Sequence, residues 1–343
     1  MSFPLALLVA GCFLAPEDEG VGIQPPIGLP PPDAEGKAFY LLQPDMLREA
    51  NWPEDYLDYK IFACNPSMHA DDLAVIRRDI PGAICLAYTS AQDVPLDLYV
   101  GNPYYDALAA MFPEEWCIHD LNTDEIVRIY GHGTPYATPS FIMQQPSADA
   151  LVQFHKTVTM AAPWDGFYID QCNKVFPNHR KITLQEITDR FDIDNNNVKD
   201  SIALIDSRYG QWRPYFTTQM RYNFPTKRII ANSGGQLDDP ALNGISLEGV
   251  GDRFTVTEAR TFLLSQKAVC FAPFMSVCWK TTDESEEGTE YLTDQMTGVY
   301  YGVLSNSANR PGQLRKPTLR HMAPPPSRTL QPTRQRDENG APR

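Results

Sequence analysis

The run Trp164-Asp165-Gly166-Phe167-Tyr168-Ile169-Asp170 opens on an Asp-Gly pair, is apolar through its middle and closes on an acid. No charged residue interrupts it between Gly166 and Asp170, so it reads as a strand buried on both faces. Such strands belong to parallel sheets covered by helices. Comparable short runs recur at 39–42, 60–64, 83–88, 228–231, 244–247 and 267–271. Between them, segments 71–79, 104–111, 148–160, 201–222 and 257–265 carry apolar residues at helical spacing. Strands alternating with helices predict the α/β class and a (β/α)8-type TIM barrel. Seven strands follow directly. The eighth falls on 299–304, unless that run ends a helix starting near residue 289. Segment 116–130 reads as a β excursion within a long loop.

Working outward, residues 38–305 form one barrel domain. With 343 residues and 43% hydrophobic content, the chain has enough apolar material for one large core. Residues 13–37 are rich in Pro, Gly, Asp and Glu and read as a tether. Residues 306–343 are Pro- and Arg-rich without apolar periodicity and read as a disordered tail. The formal net charge of -14 leaves no electrostatic reason to bind nucleic acid or an anionic membrane surface. It suits a neutral or cationic ligand, and the chain is expected to act as a monomer.

Residues 1–12 contain a short apolar run leading into Val9-Ala10-Gly11-Cys12. Small residues before a cysteine are similar to a bacterial lipobox, which implies cleavage before Cys12 and its lipidation. The run is too short to span a bilayer. The expected location is outside the cytoplasm, as a cell-envelope lipoprotein or a secreted protein; a chance cysteine in a frayed terminus is the alternative. The other six cysteines, Cys64, Cys85, Cys117, Cys172, Cys270 and Cys278, show no metal-finger spacing. They read as buried thiols, although export would permit one disulfide.

In such a barrel the working residues sit at the C-terminal ends of strands. Reading the residues at or just past the end of each run gives Gln43, Asn65, Tyr88, Asp170 with Asn173, Asn232, Glu248, and Phe271 with Phe274. Asp170 and Glu248 are carboxylates on strands two apart. Glycosidic cleavage needs such a pair, one to protonate the leaving oxygen and one to attack the anomeric carbon or activate water. A single strand-end acid is more simply a helix cap or an ion-pair partner. Two on alternate strands with aromatics nearby read as catalytic.

Three runs carry a family resemblance. Ala83-Ile84-Cys85-Leu86-Ala87-Tyr88-Thr89-Ser90-Ala91 resembles the third strand of the endo-α-1,4-polygalactosaminidase family and of related hypothetical glycosyl hydrolase families. Asp165 to Asp170 resembles their fourth strand, and Leu247-Glu248-Gly249 their glutamate-bearing sixth. The resemblance spans about residues 39–305 and implies an exported glycoside hydrolase. Comparison with α-galactosidase-type barrels further implies Asp170 as nucleophile, Glu248 as general acid/base, and retention of configuration.

Sugar rings present apolar faces that stack on aromatic side chains. Tyr88, Trp164, Tyr168, Phe254, Phe274 and Trp279 lie near predicted strand ends, most of them simply core. Tyr88, Asn65, Asn173, Asn232, Arg253 and Trp279 are the expected substrate contacts; a surface ion pair is the plain alternative for Arg253. Residues 192–200 place acids and amides at alternate positions as calcium loops do, but Asn197 and Ala203 stand where an EF-hand needs Gly and Glu. An Asx-rich turn is the simpler reading there. The histidines, His119, His132 and His155 among them, have no paired spacing, so neither a metal nor a cofactor is expected. No Walker loop, GxGxxG element or GxSxG elbow occurs. The competing classes are an inactive carbohydrate-binding or adhesive barrel and a phosphate-binding barrel. The latter lacks the Gly-rich cup it would need.

Overall fold

The computed structural model describes residues 37–95, 100–129, 138–139, 143–174, 176, 191–192, 196, 198–233, 237–250, 253–280 and 299–303. The signal-like segment, Cys12, the rest of the tether, the tail and His132 lie outside the described residues. Lys37, assigned to the tether from sequence, already belongs to the first strand.

Eight parallel strands form the barrel. In chain order they are β1 (Lys37–Leu42), β2 (Tyr59–Cys64), β3 (Ile84–Ser90), β7 (Gly166–Asp170), β9 (Arg228–Asn232), β10 (Gly244–Glu248), β11 (Ser276–Lys280) and β12 (Val299–Val303). The short pairs β4 (His119–Asp120) with β8 (Phe191–Asp192), and β5 (Arg128–Ile129) with β6 (Thr138–Pro139), lie outside it. The excursion expected at 116–130 is therefore present. Helices α1 (Ala70–Asp79), α2 (Pro103–Met111), α3 (Gln145–Thr157), α4 (Ile202–Asn223) and α5 (Val256–Val269) lie between strands. β12 is the eighth strand. It returns to β1 through one registered pair, Lys37 with Tyr301, so the seam is the thinnest join in the sheet.

One predicted strand is wrong. Residues 267–269 end α5, and the seventh strand is β11. A short apolar run does not distinguish strand from buried helix by periodicity. Here the helix start decides. Thr255 and Glu258 form a reciprocal capping box, and Ala259, Leu263 and Gln266 bury one helical face. Phe271 and Phe274 therefore precede β11. The amides of Phe271 and Met275 bond the carbonyls of Leu242 and Asn243, just before β10, at the end of the barrel opposite the mouth.

Strand alternation separates two apolar layers. Phe39, Phe62, Cys85, Phe167, Ile169, Ile229, Leu247 and Cys278 face the helices. Ala38, Ile61, Ala63, Leu86, Tyr168, Ile230, Val277, Trp279 and Tyr300 fill the interior. Two of the closest approaches fall on the strands that carry the acids. A Cβ on Gly166 would sit 1.8 Å from the Arg228 carbonyl oxygen, and one on Gly244 2.1 Å from that of Met275. Only glycine lets β7 and β10 start where they do.

Of the six described cysteines, all are free thiols; five are buried and Cys270 is partly so. Among the described residues, no group of three or more His, Cys, Asp or Glu is placed to hold a metal ion. Asp192 and Asp200 are buried, while Asp194, Asn195 and Asn197 of the calcium-like run lie outside the described residues. No described helix is long and apolar enough to cross a membrane.

Candidate active site

Asp170, Asn232 and Glu248 end three consecutive barrel strands, β7, β9 and β10. Their side chains meet at the mouth. The Asn232 Nδ2 donates to Asp170 Oδ1 at 2.9 Å and to Glu248 Oε1 at 2.7 Å. The two carboxylate oxygens are therefore at most about 5.6 Å apart, the sum of those bonds. The contact also fixes the amide's orientation, because its carbonyl oxygen would repel both acids. Asp170 is 5% exposed and Asn232 8%, while Glu248 is partly open to solvent.

Backbone geometry after each acid holds it in place. Gln171 adopts φ 57°, a left-handed conformation uncommon for a residue with a Cβ. The turn is held from two sides: the Gln171 amide donates to Asp170 Oδ1 at 2.8 Å, and the Tyr209 hydroxyl donates to the Gln171 carbonyl at 2.9 Å. Gly249, after Glu248, has φ 83° and donates its amide to the Trp279 carbonyl at 3.0 Å.

The other oxygen of Asp170 belongs to tyrosines. Tyr88, paired in register with Tyr168 across β3 and β7, donates its phenol to Asp170 Oδ2. The Tyr40 hydroxyl lies 3.4 Å from the same oxygen. Burial, reinforced by the Asp170 charge, raises the pKa of both phenols well above the ordinary tyrosine value, so both remain protonated donors. Below them, Trp279 Nε1 donates to Ser246 Oγ at 2.6 Å and approaches the Tyr168 hydroxyl at 3.1 Å. Tyr168 and Ser246 are themselves bonded at 2.8 Å. This closed polar knot is the floor of the mouth.

The remaining expected contacts divide by environment. Trp279 is 1% exposed and spends its indole N–H on the floor. Asn65 is buried, donates to Gln43 Oε1 at 2.7 Å and accepts from Ser67 and Tyr105. Asn173 is buried in the turn after Asp170. Arg253 is exposed, its stem against Gly249. Tyr40, Ser246 and Gln171 were missed from sequence. Tyr40 escaped because the last residue of a run is not the last to face inward. Leu41 has φ 59°, and the β1–β2 register slips between Phe39 and Leu42. This bulge leaves Tyr40 inside and turns Leu42 out to the helix layer. The available signal was Ala38 and Tyr40 at strand spacing.

No family model matches the chain, and no curated protein matches it. Solved structures that resemble it include the glycoside hydrolase domain of PelA from Pseudomonas aeruginosa. That pair shares 10% identity over 79% of this chain and 94% of the other, with a TM-score of 0.46. The Flavobacterium johnsoniae GH31 dextranase FjDex31A, complexed with glucose, shares 12% identity over 80% of this chain and 37% of its own, TM-score 0.46. An alpha-L-fucosidase, isoenzyme 2 from Paenibacillus thiaminolyticus, shares 12% over 78% and 46%, TM-score 0.45. At this level the likeness concerns the barrel; the case for function rests on the site.

Proposed function

We propose that this protein is a glycoside hydrolase that cleaves an oligo- or polysaccharide by a retaining two-carboxylate mechanism. One observation carries the reading: a single amide nitrogen bonds both acids and keeps their facing oxygens within about 5.6 Å of each other. Retaining enzymes place their carboxyls about 5–5.5 Å apart, whereas inverting ones need about 6.5–9.5 Å to admit a water.

The surroundings favour distinct roles. Asp170 receives N–H and O–H donors on both oxygens, which suits a carboxylate fixed in orientation for attack. Glu248 is the more exposed acid, which suits a group that gives a proton to the leaving oxygen and later takes one from water. In the first step an Asp170 oxygen bonds the anomeric carbon. The glycosidic C–O bond breaks, and its electron pair takes the Glu248 proton. In the second step water attacks the same carbon, Glu248 accepts its proton, and the Asp170 ester bond breaks. Of the expected sugar contacts, Arg253 is the exposed one. Asn65, Asn232 and Trp279 spend polar groups on protein partners and act by holding the pocket wall. Export with a lipid anchor at Cys12, monomeric action and membership of the polygalactosaminidase-like families belong to the same proposal.

The test is a glycan panel with wild type, Asp170→Asn and Glu248→Gln, reading new reducing ends and the anomer first released. Turnover by wild type alone with a retained anomer is expected. Turnover surviving in both variants overturns the reading. A glycan bound by wild type but never cut replaces the enzyme with the alternative, a carbohydrate-binding barrel.

A further inference from the structure

The mechanism above uses both carboxyls but leaves two phenols unexplained. Tyr88 and Tyr40 come from β3 and β1, and both hydroxyls reach Asp170 Oδ2. Oδ1 is served by other groups, the Asn232 amide and the Gln171 N–H. The two oxygens of one carboxylate thus have separate holders.

The rings have no freedom to turn away. Tyr40 meets Tyr88, Tyr168 and Trp279 edge-on, with centroids 5.9, 5.8 and 5.6 Å away. Tyr88 stacks on Tyr168 at 5.9 Å and 14°. Tyr168 and Trp279 are in turn bonded to Ser246. Tyr40 faces the interior by alternation from Ala38, and the bulge at Leu41 sends Leu42 to the helix layer, so Tyr40 is the last inward side chain of β1. The Tyr40 hydroxyl lies 3.4 Å from Asp170 Oδ2 and 3.5 Å from the Tyr88 hydroxyl, within reach of both.

We infer that Tyr88 and Tyr40 are positioning residues that fix the plane of the Asp170 carboxylate and stabilise its charge. The inference rests on the reading of Asp170 as the attacking group. When Asp170 forms its bond to the anomeric carbon, its charge is lost and the phenol bonds weaken. When the ester breaks, the departing carboxylate recovers them. The phenols keep their protons throughout.

Tyr88→Phe and Tyr40→Phe in the full chain test this in two ways. The first needs no substrate. In protein labelled with 13C at the tyrosine ζ carbon, each Phe variant deletes and so assigns one resonance. Both resonances are expected to move in Asp170→Asn, while that of Tyr104, bonded to Thr159, stays. If both stay put, the inference fails whatever the substrate. The second readout uses any glycan that wild type hydrolyses. Tyr88→Phe should lower kcat about ten- to a hundredfold with KM changed less than threefold. It should also move the acidic limb of the kcat/KM profile to higher pH, because a donor to the anion is gone. An unchanged kcat and acidic limb in both variants overturn it. A panel with no turnover removes the hydrolase reading alone, since the resonances still decide whether the phenols hold Asp170. Should Tyr88→Phe not fold, Tyr40→Phe and Asp170→Asn carry both readouts.

Discussion

Asp170 and Glu248, 78 positions apart in the chain, share one hydrogen-bond donor, the amide nitrogen of Asn232. An amide offers two N–H groups from one atom, so it neutralises the approach of two acids while adding no charge. Asn232→Ala removes that link. It should lower kcat about a hundredfold through misplacement of the pair. It should also cost about 2 kcal/mol of stability at pH 7, the range for a hydrogen bond to a charged group. Urea denaturation at pH 7 checks the stability loss, and an unchanged midpoint would argue against the amide as the link between the acids.

The two acids should differ in what rescues them. Glu248→Gln removes a proton donor and should lower turnover of ordinary glycosides about 10²–10⁴-fold. It should leave cleavage of a glycosyl fluoride, whose leaving group needs no proton, nearly intact. Asp170→Asn should abolish both. Release of fluoride and of reducing ends by each variant decides the assignment, and the reverse pattern would exchange the roles.

Gly166→Ala drives a Cβ onto the Arg228 carbonyl, and backbone has no rotamer with which to yield. A loss of about 3 kcal/mol or more is expected, at the upper end for overpacking. Gly82→Ala is the control, with open space around it but φ 84°, and should cost only about 1 kcal/mol. Chemical denaturation of the two variants should separate them clearly.

His155 is buried between Thr89 and Thr159 beneath β3, and burial lowers its pKa to about 3. The folded value lies below the unfolded value near 6.5. Its contribution to stability is therefore complete above about pH 6.5 and is lost as pH falls towards 3. One proton taken up on unfolding gives a slope of about 1.4 kcal/mol per pH unit across that window. His155→Asn should flatten the slope between pH 6 and 4 while lowering stability at pH 7. A slope identical to wild type would mean that His155 is charged in the folded protein.

The sequence alone carried the parallel barrel, because strands buried on both faces leave uninterrupted apolar runs that one-sided strands do not. It also carried the positions of Asp170 and Glu248, since an acid closing such a run breaks the apolar pattern where a barrel opens. It misplaced the seventh strand because residues 267–271 are short and apolar, and only the cap at Thr255 and the packing of Leu263 reveal a helix there. The tertiary structure decided the rest. Asn232 looked like a sugar contact because a strand-end amide carries no mark of its partner; that partner is set by the neighbouring strands. Tyr40 was invisible for a different reason. It faces inward by alternation from Ala38, but the left-handed Leu41 ends that alternation one residue later, a backbone state that the residue's identity does not announce. Composition and spacing record what each strand must bury. Which polar tips converge on one carboxylate is fixed by register and closure, and these exist only once eight strands have met.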